Sequence, residues 1–326
     1  MDQAVQLALQ HSRKVKASGA DERVMASMRR EAFAGFLPSA SANGYIVNQN
    51  NQNTTPYVYS SAGDTMARNF QVIGTNRFQD LNVTGMWSLF SGGRTYYGYK
   101  AASARADSAT QMLRGTEVEV AMQARFDYIA AVREQENARV TGELVKQTEE
   151  RLRVTREEFD AGRVARFNVL RDEAELANAI QMDTMARNRA EIALIALKTT
   201  LGVDLASPII VAEPLRYDPL TVSVEVGMRQ ASETHPDVRA AAKQVEAAEA
   251  EIRAALGRYL PDISATVMYD WQRFNNRGEP SSKPEGYSAG LVMTIPIFDG
   301  FMRENAIVTA RAKRDKAQEL AVQARQ

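Results

Sequence analysis

The sequence predicts an α+β fold in which long antiparallel helical coiled-coil hairpins are joined to four membrane-type β-strands. Three observations predict it: an internal repeat, four runs that alternate with period two, and a long proline-free stretch with apolar or small residues every seven positions. The repeat comes first. Phe36-Leu37-Pro38-Ser39-Ala40-Ser41-Ala42 overlays Tyr259-Leu260-Pro261-Asp262-Ile263-Ser264-Ala265, and Leu89-Phe90-Ser91-Gly92-Gly93 overlays Ile297-Phe298-Asp299-Gly300-Phe301. Proline disfavours helical geometry in the residue before it, so each Leu-Pro ends a helix and starts an extended run. Each half then reads helix, strand, loop, strand, helix.

The strands follow from alternation. In the third run Ile263, Ala265, Val267, Tyr269 and Trp271 share one face, opposite Ser264, Thr266, Met268, Asp270 and Gln272. In the second, Leu81, Val83, Trp87 and Leu89 oppose Asn82, Thr84 and Ser88; the fourth sets Tyr287, Ala289, Leu291, Met293 and Ile295 on one face. The first run, Ala40 to Asn48, alternates weakly. Runs of about ten residues suit a tilted strand crossing a bilayer. Trp87, Trp271, Tyr269 and Tyr287 fall where an aromatic girdle would sit, and Asn82, Thr84, Ser88, Ser264, Thr266 and Asp270 are expected to face a water-filled bore. The polar segments Gln49–Gln79 and Arg273–Gly286 read as external loops, the Asn/Gln tract 48–53 as a disordered, low-complexity insertion.

Between Tyr96 and Asp160 there is no proline, and Ala124, Ala131, Ala138, Val145, Leu152 and Phe159 form a heptad seam. Some 65 helical residues would span about 100 Å. The seam breaks at Asp160-Ala161-Gly162-Arg163, with Gly162 as helix stop, and resumes at Asn168, a candidate N-cap, to end near Leu201-Gly202. The organisation expected is 1–37, helix of the first repeat; 38–92, first β-hairpin; 93–202, long helical hairpin; 203–226, linker; 227–260, helix of the second repeat; 261–299, second β-hairpin; and 300–326, the start of a second long helix.

Composition narrows function mainly by exclusion. The 326 residues carry 40 basic and 40 acidic side chains, which points away from a nucleic-acid partner. No cysteine and only His11 and His235 leave no thiol chemistry, no metal cluster and no cofactor expected; both histidines read as surface or helix-start residues. Glu149-Glu150 and Glu157-Glu158 sit among arginines at helical spacing and read as solvated faces, not acid/base pairs. With no set of nucleophile, base and orienter, the chain is not expected to be an enzyme. The longest apolar helical stretch, Ile192–Leu197, stops at Lys198 and is too short to span a bilayer. Met1-Asp2-Gln3-Ala4-Val5 runs straight into a helical pattern without a secretory signal, so a cytoplasmic protein or a processed or truncated chain is expected. Four amphipathic strands leave open edges that lipid cannot satisfy, so the sheet is expected to close with other copies.

These elements resemble the TolC-like outer-membrane efflux proteins over nearly the whole chain. The resemblance is carried by the duplicated Leu-Pro-x-x-Ser-Ala and Leu-Phe-Ser-Gly-Gly elements, by His235-Pro236-Asp237-Val238-Arg239-Ala240-Ala241, and by the segment from Phe159 to Leu170. It implies a homotrimer whose protomers each give four strands to a twelve-stranded β-barrel in outer-membrane lipid, continued as an α-helical tunnel into the periplasm of a Gram-negative bacterium. Such a channel conducts substrate passively within a tripartite efflux or type I secretion system, handed on by a periplasmic adaptor and an inner-membrane pump. The adaptor-facing tip would comprise Gly162, Arg163, Val164, Ala165, Phe167 and Asn168. Where the family usually has Thr-Asp, this chain has Phe167-Asn168, so the tip lacks an acidic charge. The resemblance also implies a second long hairpin and a signal peptide outside the sequence, as expected of a fragment. The competing reading is a soluble periplasmic adaptor or coiled-coil scaffold whose strands pack on both faces in a small sandwich.

Overall fold

A computed structural model describes residues 1–47, 75–211, 219, 222–276 and 284–326; the Asn/Gln tract and most of both predicted loops lie outside the described residues. The chain divides into two compact units. The first comprises Met1–Met25, Ala106–Lys243 and Leu320–Gln326, the second Ala26–Arg105 and Gln244–Glu319.

The first unit is helical. It holds α1 (Asp2–His11), the start of α2 (Arg13–Ala34), most of α3 (Arg94–Asp160), α4 (Arg166–Leu201), α5 (Val224–Thr234) and the start of α6 (Pro236–Leu256). Its core joins Ala4 and Ala8 of α1, Val120, Ala124, Tyr128 and Ala131 of α3, and Leu197 and Leu201 of α4. Alanine at these positions lets helix axes approach closely. Along the predicted seam Ala124, Ala131 and Leu152 are buried and Ala138 and Val145 half-buried, while Phe159 opens to solvent.

A second seam runs three residues out of step with the first and is polar: Asp127, Glu134, Thr141, Thr148 and Thr155. Three of its members cross-link the hairpin. Thr155 Oγ1 donates to Asp172 Oδ2 at 2.7 Å, Thr141 Oγ1 donates to Asp183 Oδ1 at 3.1 Å, and Thr200 of α4 donates to Asp127 of α3. Apolar a-positions alone tolerate a slip of one heptad; buried hydroxyl–carboxylate pairs do not, because a slip leaves a buried charge without a donor.

Both helix starts carry the same break. Ser12 (φ −56, ψ 122) separates α1 from α2, and His235 (φ −59, ψ 133) separates α5 from α6. In each the amide donates four residues back, to Ala8 O and Ala231 O, and the carbonyl accepts four residues on, from Lys16 N and Arg239 N. The repeat is therefore copied in backbone geometry as well as in sequence.

The second unit contains an antiparallel sheet in the order β1 (Ser39–Val47), β2 (Thr75–Ser91), β3 (Asp262–Asn276), β4 (Glu285–Thr294). Three differences from expectation have clear causes. The weakly alternating first run is a full strand, because β2 supplies its hydrogen bonds from Ser39↔Met86 to Val47↔Phe78. β2 and β3 have 17 and 15 residues instead of about ten, since ladder pairing continues through polar residues and takes in Thr75–Gln79 and Arg273–Asn276, which the loops were expected to hold. β4 ends at Thr294, so Ile295 lies past the strand, before Pro296. A bulge between Ser88 and Phe90 leaves Leu89 without a cross-strand partner and sets Phe90 opposite Ile263.

The junctions between helix and strand are packed by aromatics and arginines. Phe33, Phe36 and Tyr99 form a cluster with ring centroids 5.9–6.1 Å apart, and Trp87 Nε1 donates to Phe36 O at 2.9 Å. Arg303 is 8% exposed; it donates to Asp299, Pro296 O and Ile297 O and lies 4.7 Å from the Tyr259 ring centroid. At the overlaid position of the first repeat stands Thr95, whose hydroxyl lies 2.8 Å from Ser91 Oγ. Each turn uses two left-handed residues, Gly92 and Gly93 in one repeat, Gly300 and Phe301 in the other. Phenylalanine at φ 68 costs about 1 kcal/mol that glycine would not. Phe301→Gly is therefore expected to raise the melting temperature slightly, provided the ring contact to Phe298 contributes less.

Candidate functional site

Directly opposed residues of an antiparallel ladder share a face. The registers Asn82↔Asp270, Thr84↔Met268, Met86↔Thr266 and Ser88↔Ser264 therefore bring all six predicted bore residues onto one face. The first and fourth strands extend it with Ser39, Ser41, Asn43 and Tyr45, and with Ser288, Gly290 and Val292. Sequence reasoning missed the β1 members because a serine–alanine alternation carries little hydropathy contrast. It also missed Asp80, which lies on the same face opposite Gln272, one rung beyond Asp270.

The other face carries Leu81, Val83, Trp87, Val267, Tyr269, Trp271, Tyr287, Leu291 and Met293. Tyr269 and Tyr287 are cross-strand partners, Trp271 lies two residues beyond, and Trp87 pairs with Ala265. The two tryptophan levels are thus six residues apart on β3, about 20 Å along the strand. From Ile263 to Trp271 the apolar band runs about 27 Å along the strand, comparable with the apolar belt of an outer-membrane barrel.

Among the described residues no second layer covers either face. Leu291 is 72% and Tyr287 85% exposed, and every residue of β4 is exposed. A sandwich buries alternate residues against a second sheet, and the described residues form only one sheet. That removes the basis for reading the strands as the core of a soluble adaptor. Among the described residues both edge strands, β1 and β4, also lack an outer neighbour.

The hairpin tip has a different geometry from the one expected. Gly162 (φ 74) does end α3: its amide donates to Phe159 O and that of Arg163 to Glu158 O, the paired bonds of a Schellman motif. Asn168 is not the cap of α4. The helix begins at Arg166 with Ala165 as N-cap, and Asn168 is its third residue, donating to Ala165 O at 3.0 Å. The extended conformation of Ala165 suffices to start the helix without a side-chain cap. Gly162, Arg163, Ala165 and Phe167 are exposed, Phe167 to 70%, while Val164 and Asn168 are half-buried.

His235 Nδ1 accepts from Asp237 N at 3.3 Å beside the Pro236 break, and no group of three or more metal-ligating side chains exists among the described residues. No described helix is long and apolar enough to cross a membrane.

One amphipathic antiparallel sheet with open edges, on a chain otherwise made of long helices, defines the class of protein to which this fold belongs. The chain belongs to the outer membrane efflux protein family, which it matches over residues 4–203 and 227–326. It is 29% identical over 286 residues to protein CyaE of Bordetella pertussis, covering 83% of this chain and 58% of that protein. It is 27% identical over 240 residues to outer membrane efflux protein BepC of Brucella suis, covering 74% and 51%. The chain thus spans a little over half the length of these relatives. In fold it matches the outer membrane protein VceC of Vibrio cholerae with a TM-score of 0.78 at 16% identity, over 99% of this chain and 75% of that one.

Proposed function

We propose that the chain is a subunit of an outer-membrane channel that passively conducts substrates from the periplasm to the exterior, as part of a tripartite efflux or type I secretion system. One observation carries this reading: a sheet that is apolar on one face, polar on the other and unpaired at both edges. In lipid each unpaired backbone group costs several kcal/mol, so the sheet closes with further copies, the apolar face outward and the polar face around water. Conduction then needs no covalent chemistry. Three copies of the four-stranded sheet give a twelve-stranded barrel. The helical hairpins gather into the tunnel, and their tips, with Phe167 exposed, meet a periplasmic adaptor linked to an inner-membrane pump. The successive segments 1–37, 38–92, 93–202, 203–226, 227–260, 261–299 and 300–326 supply helix, strands, hairpin, linker, helix, strands and second helix to this plan.

The internal repeat supplies the register of closure. Ser39↔Met86 in the first hairpin recurs under the overlay as Asp262↔Thr294 in the second, and Ala40↔Gly85 as Ile263↔Met293. The same overlay turns the β2–β3 pairs Val83↔Tyr269 and Trp87↔Ala265 into Leu291 opposite Ile46 of the next copy and Ile295 opposite Ala42 of the next copy. The two faces stay continuous in this register.

Because the chain has no cysteine, a Leu291→Cys, Ile46→Cys double variant can be oxidised cleanly; opposed strand positions lie within disulfide reach. It is expected to give disulfide-linked trimers from outer membranes on non-reducing gels, while either single variant stays monomeric. Equal linkage for Leu291→Cys with Gly44→Cys, a two-residue slip, would refute the register. No linked oligomer from either pair would refute the barrel.

A further inference from the structure

Asp80 is 7% exposed, and its Oδ1 is buried with no hydrogen-bond donor. It is the single buried side-chain oxygen without a partner among the described residues. On its face, β1 offers Tyr45 directly opposite and β3 offers Gln272 directly opposite, with Asp270 diagonal and close enough to interact electrostatically. Gln272 Nε2 donates to Asp270 Oδ2 at 2.8 Å, and its amide also lies close enough to favour the charged form of Asp80, yet Asp80 Oδ1 has no donor. Asn82, opposite Asp270, accepts from Thr84 at 2.6 Å with its Oδ1. Among the described residues no lysine or arginine side chain forms an ion pair with either acid, so two carboxylates lie near each other with no cation between them.

We propose that Asp80 and Asp270 form a binding site for a hard divalent cation, with calcium or magnesium as its chemical class, on the polar face at the loop end of the sheet. The inference rests on the channel reading only for its location, in the bore. Two carboxylates share a wall with the amide oxygens of Asn82 and Gln272, and the donor set is entirely oxygen, which suits hard cations and not zinc or copper. A buried carboxylate oxygen without a donor is costly; a cation bridging it to Asp270 removes that cost and their mutual repulsion together. With two charged ligands the site is of the weaker, millimolar kind.

Terbium, a luminescent hard cation excited through nearby tyrosine and tryptophan, tests this on the purified oligomer in detergent without requiring transport. Sensitised emission that calcium competes away is expected in the wild type. An Asp80→Asn, Asp270→Asn double variant should weaken terbium binding at least tenfold, whereas Glu285→Gln, an acid on the opposite face, should leave it unchanged. Absent emission in the wild type, or equal binding in the double variant, would overturn the site; a shared proton would then be what satisfies the pair. Conductance in planar bilayers forms a separate arm. A protein that binds terbium as expected yet forms no pore would refute the channel and leave the cation site standing.

Discussion

Replacing Gly92 with alanine is expected to abolish the folded protein, by a destabilisation of about 4 kcal/mol or more. Two costs coincide there. Gly92 has φ +62, where any side chain is strained, and a Cβ would lie 2.1 Å from Gly257 O and 2.9 Å from Leu260 Cβ. The contact is reciprocal, because a Cβ on Gly257 would lie 2.3 Å from Gly92 O. Backbone meets backbone, so neither side can yield by a rotamer change. Gly300, the overlaid residue of the second repeat, has φ +67 but nothing within 4 Å. Gly300→Ala is therefore expected to cost the chain's own fold only about 1 kcal/mol. Yield of the heat-sensitive oligomer and the loss of helical circular dichroism on warming would check both variants. Gly92→Ala melting like the wild type would show that the turn is not held as described.

The contrast between these glycines also shows what a one-dimensional pattern can and cannot carry. Leu-Phe-Ser-Gly-Gly and Ile-Phe-Asp-Gly-Phe announce the same turn, and the two backbones share it; which of them sits against another backbone depends on the partner segment. The helical hairpin was legible for a similar reason, since alanine and leucine every seven residues mark a buried stripe. Its polar half was not, because Asp127, Thr141 and Thr155 have the composition of a solvated face and become interior only when Thr200, Asp183 and Asp172 come opposite. Strand identity followed from alternation, but strand length did not, since hydrogen bonding between β2 and β3 is indifferent to whether side chains are apolar. Of the candidate site, the residues sharing each face could be read from parity alone. Asp80 escaped because its burial and the donor missing from its Oδ1 arise only when Tyr45 and Gln272 come alongside it. At the tip, Gly162 was visible through its backbone freedom, whereas the helix start at Ala165 left no side-chain signal.

The second large effect is expected at Asp172. The residue is 2% exposed within the α3–α4 hairpin, accepts from Thr155 Oγ1 at 2.7 Å, and has Arg171 and Arg151 at 3.3 and 3.9 Å. The Thr155 hydroxyl holds its carboxyl below the usual aspartate range, helped by the two guanidinium groups and opposed by burial. Asp172→Ala removes a charged buried acceptor and strands the hydroxyl, at a cost of about 2–3 kcal/mol. Exposed pairs nearby, such as Arg156–Glu173 at 2.7 Å, contribute much less. Because the folded value lies below the unfolded one of about 3.9, the stabilisation is complete above that range and drains away as pH falls through the folded value. The stability gap between wild type and Asp172→Asn, measured by denaturant titration of the helical signal, should therefore be widest near neutrality and close in strong acid. Thr155→Val removes the largest of the stabilising contacts, so its acid transition should begin at higher pH than that of the wild type. In a double-mutant cycle the two positions should couple by about 1–2 kcal/mol at neutral pH and by less in acid. A gap that does not change with pH would mean that packing around Asp172, and not its charge, fixes the register of the hairpin.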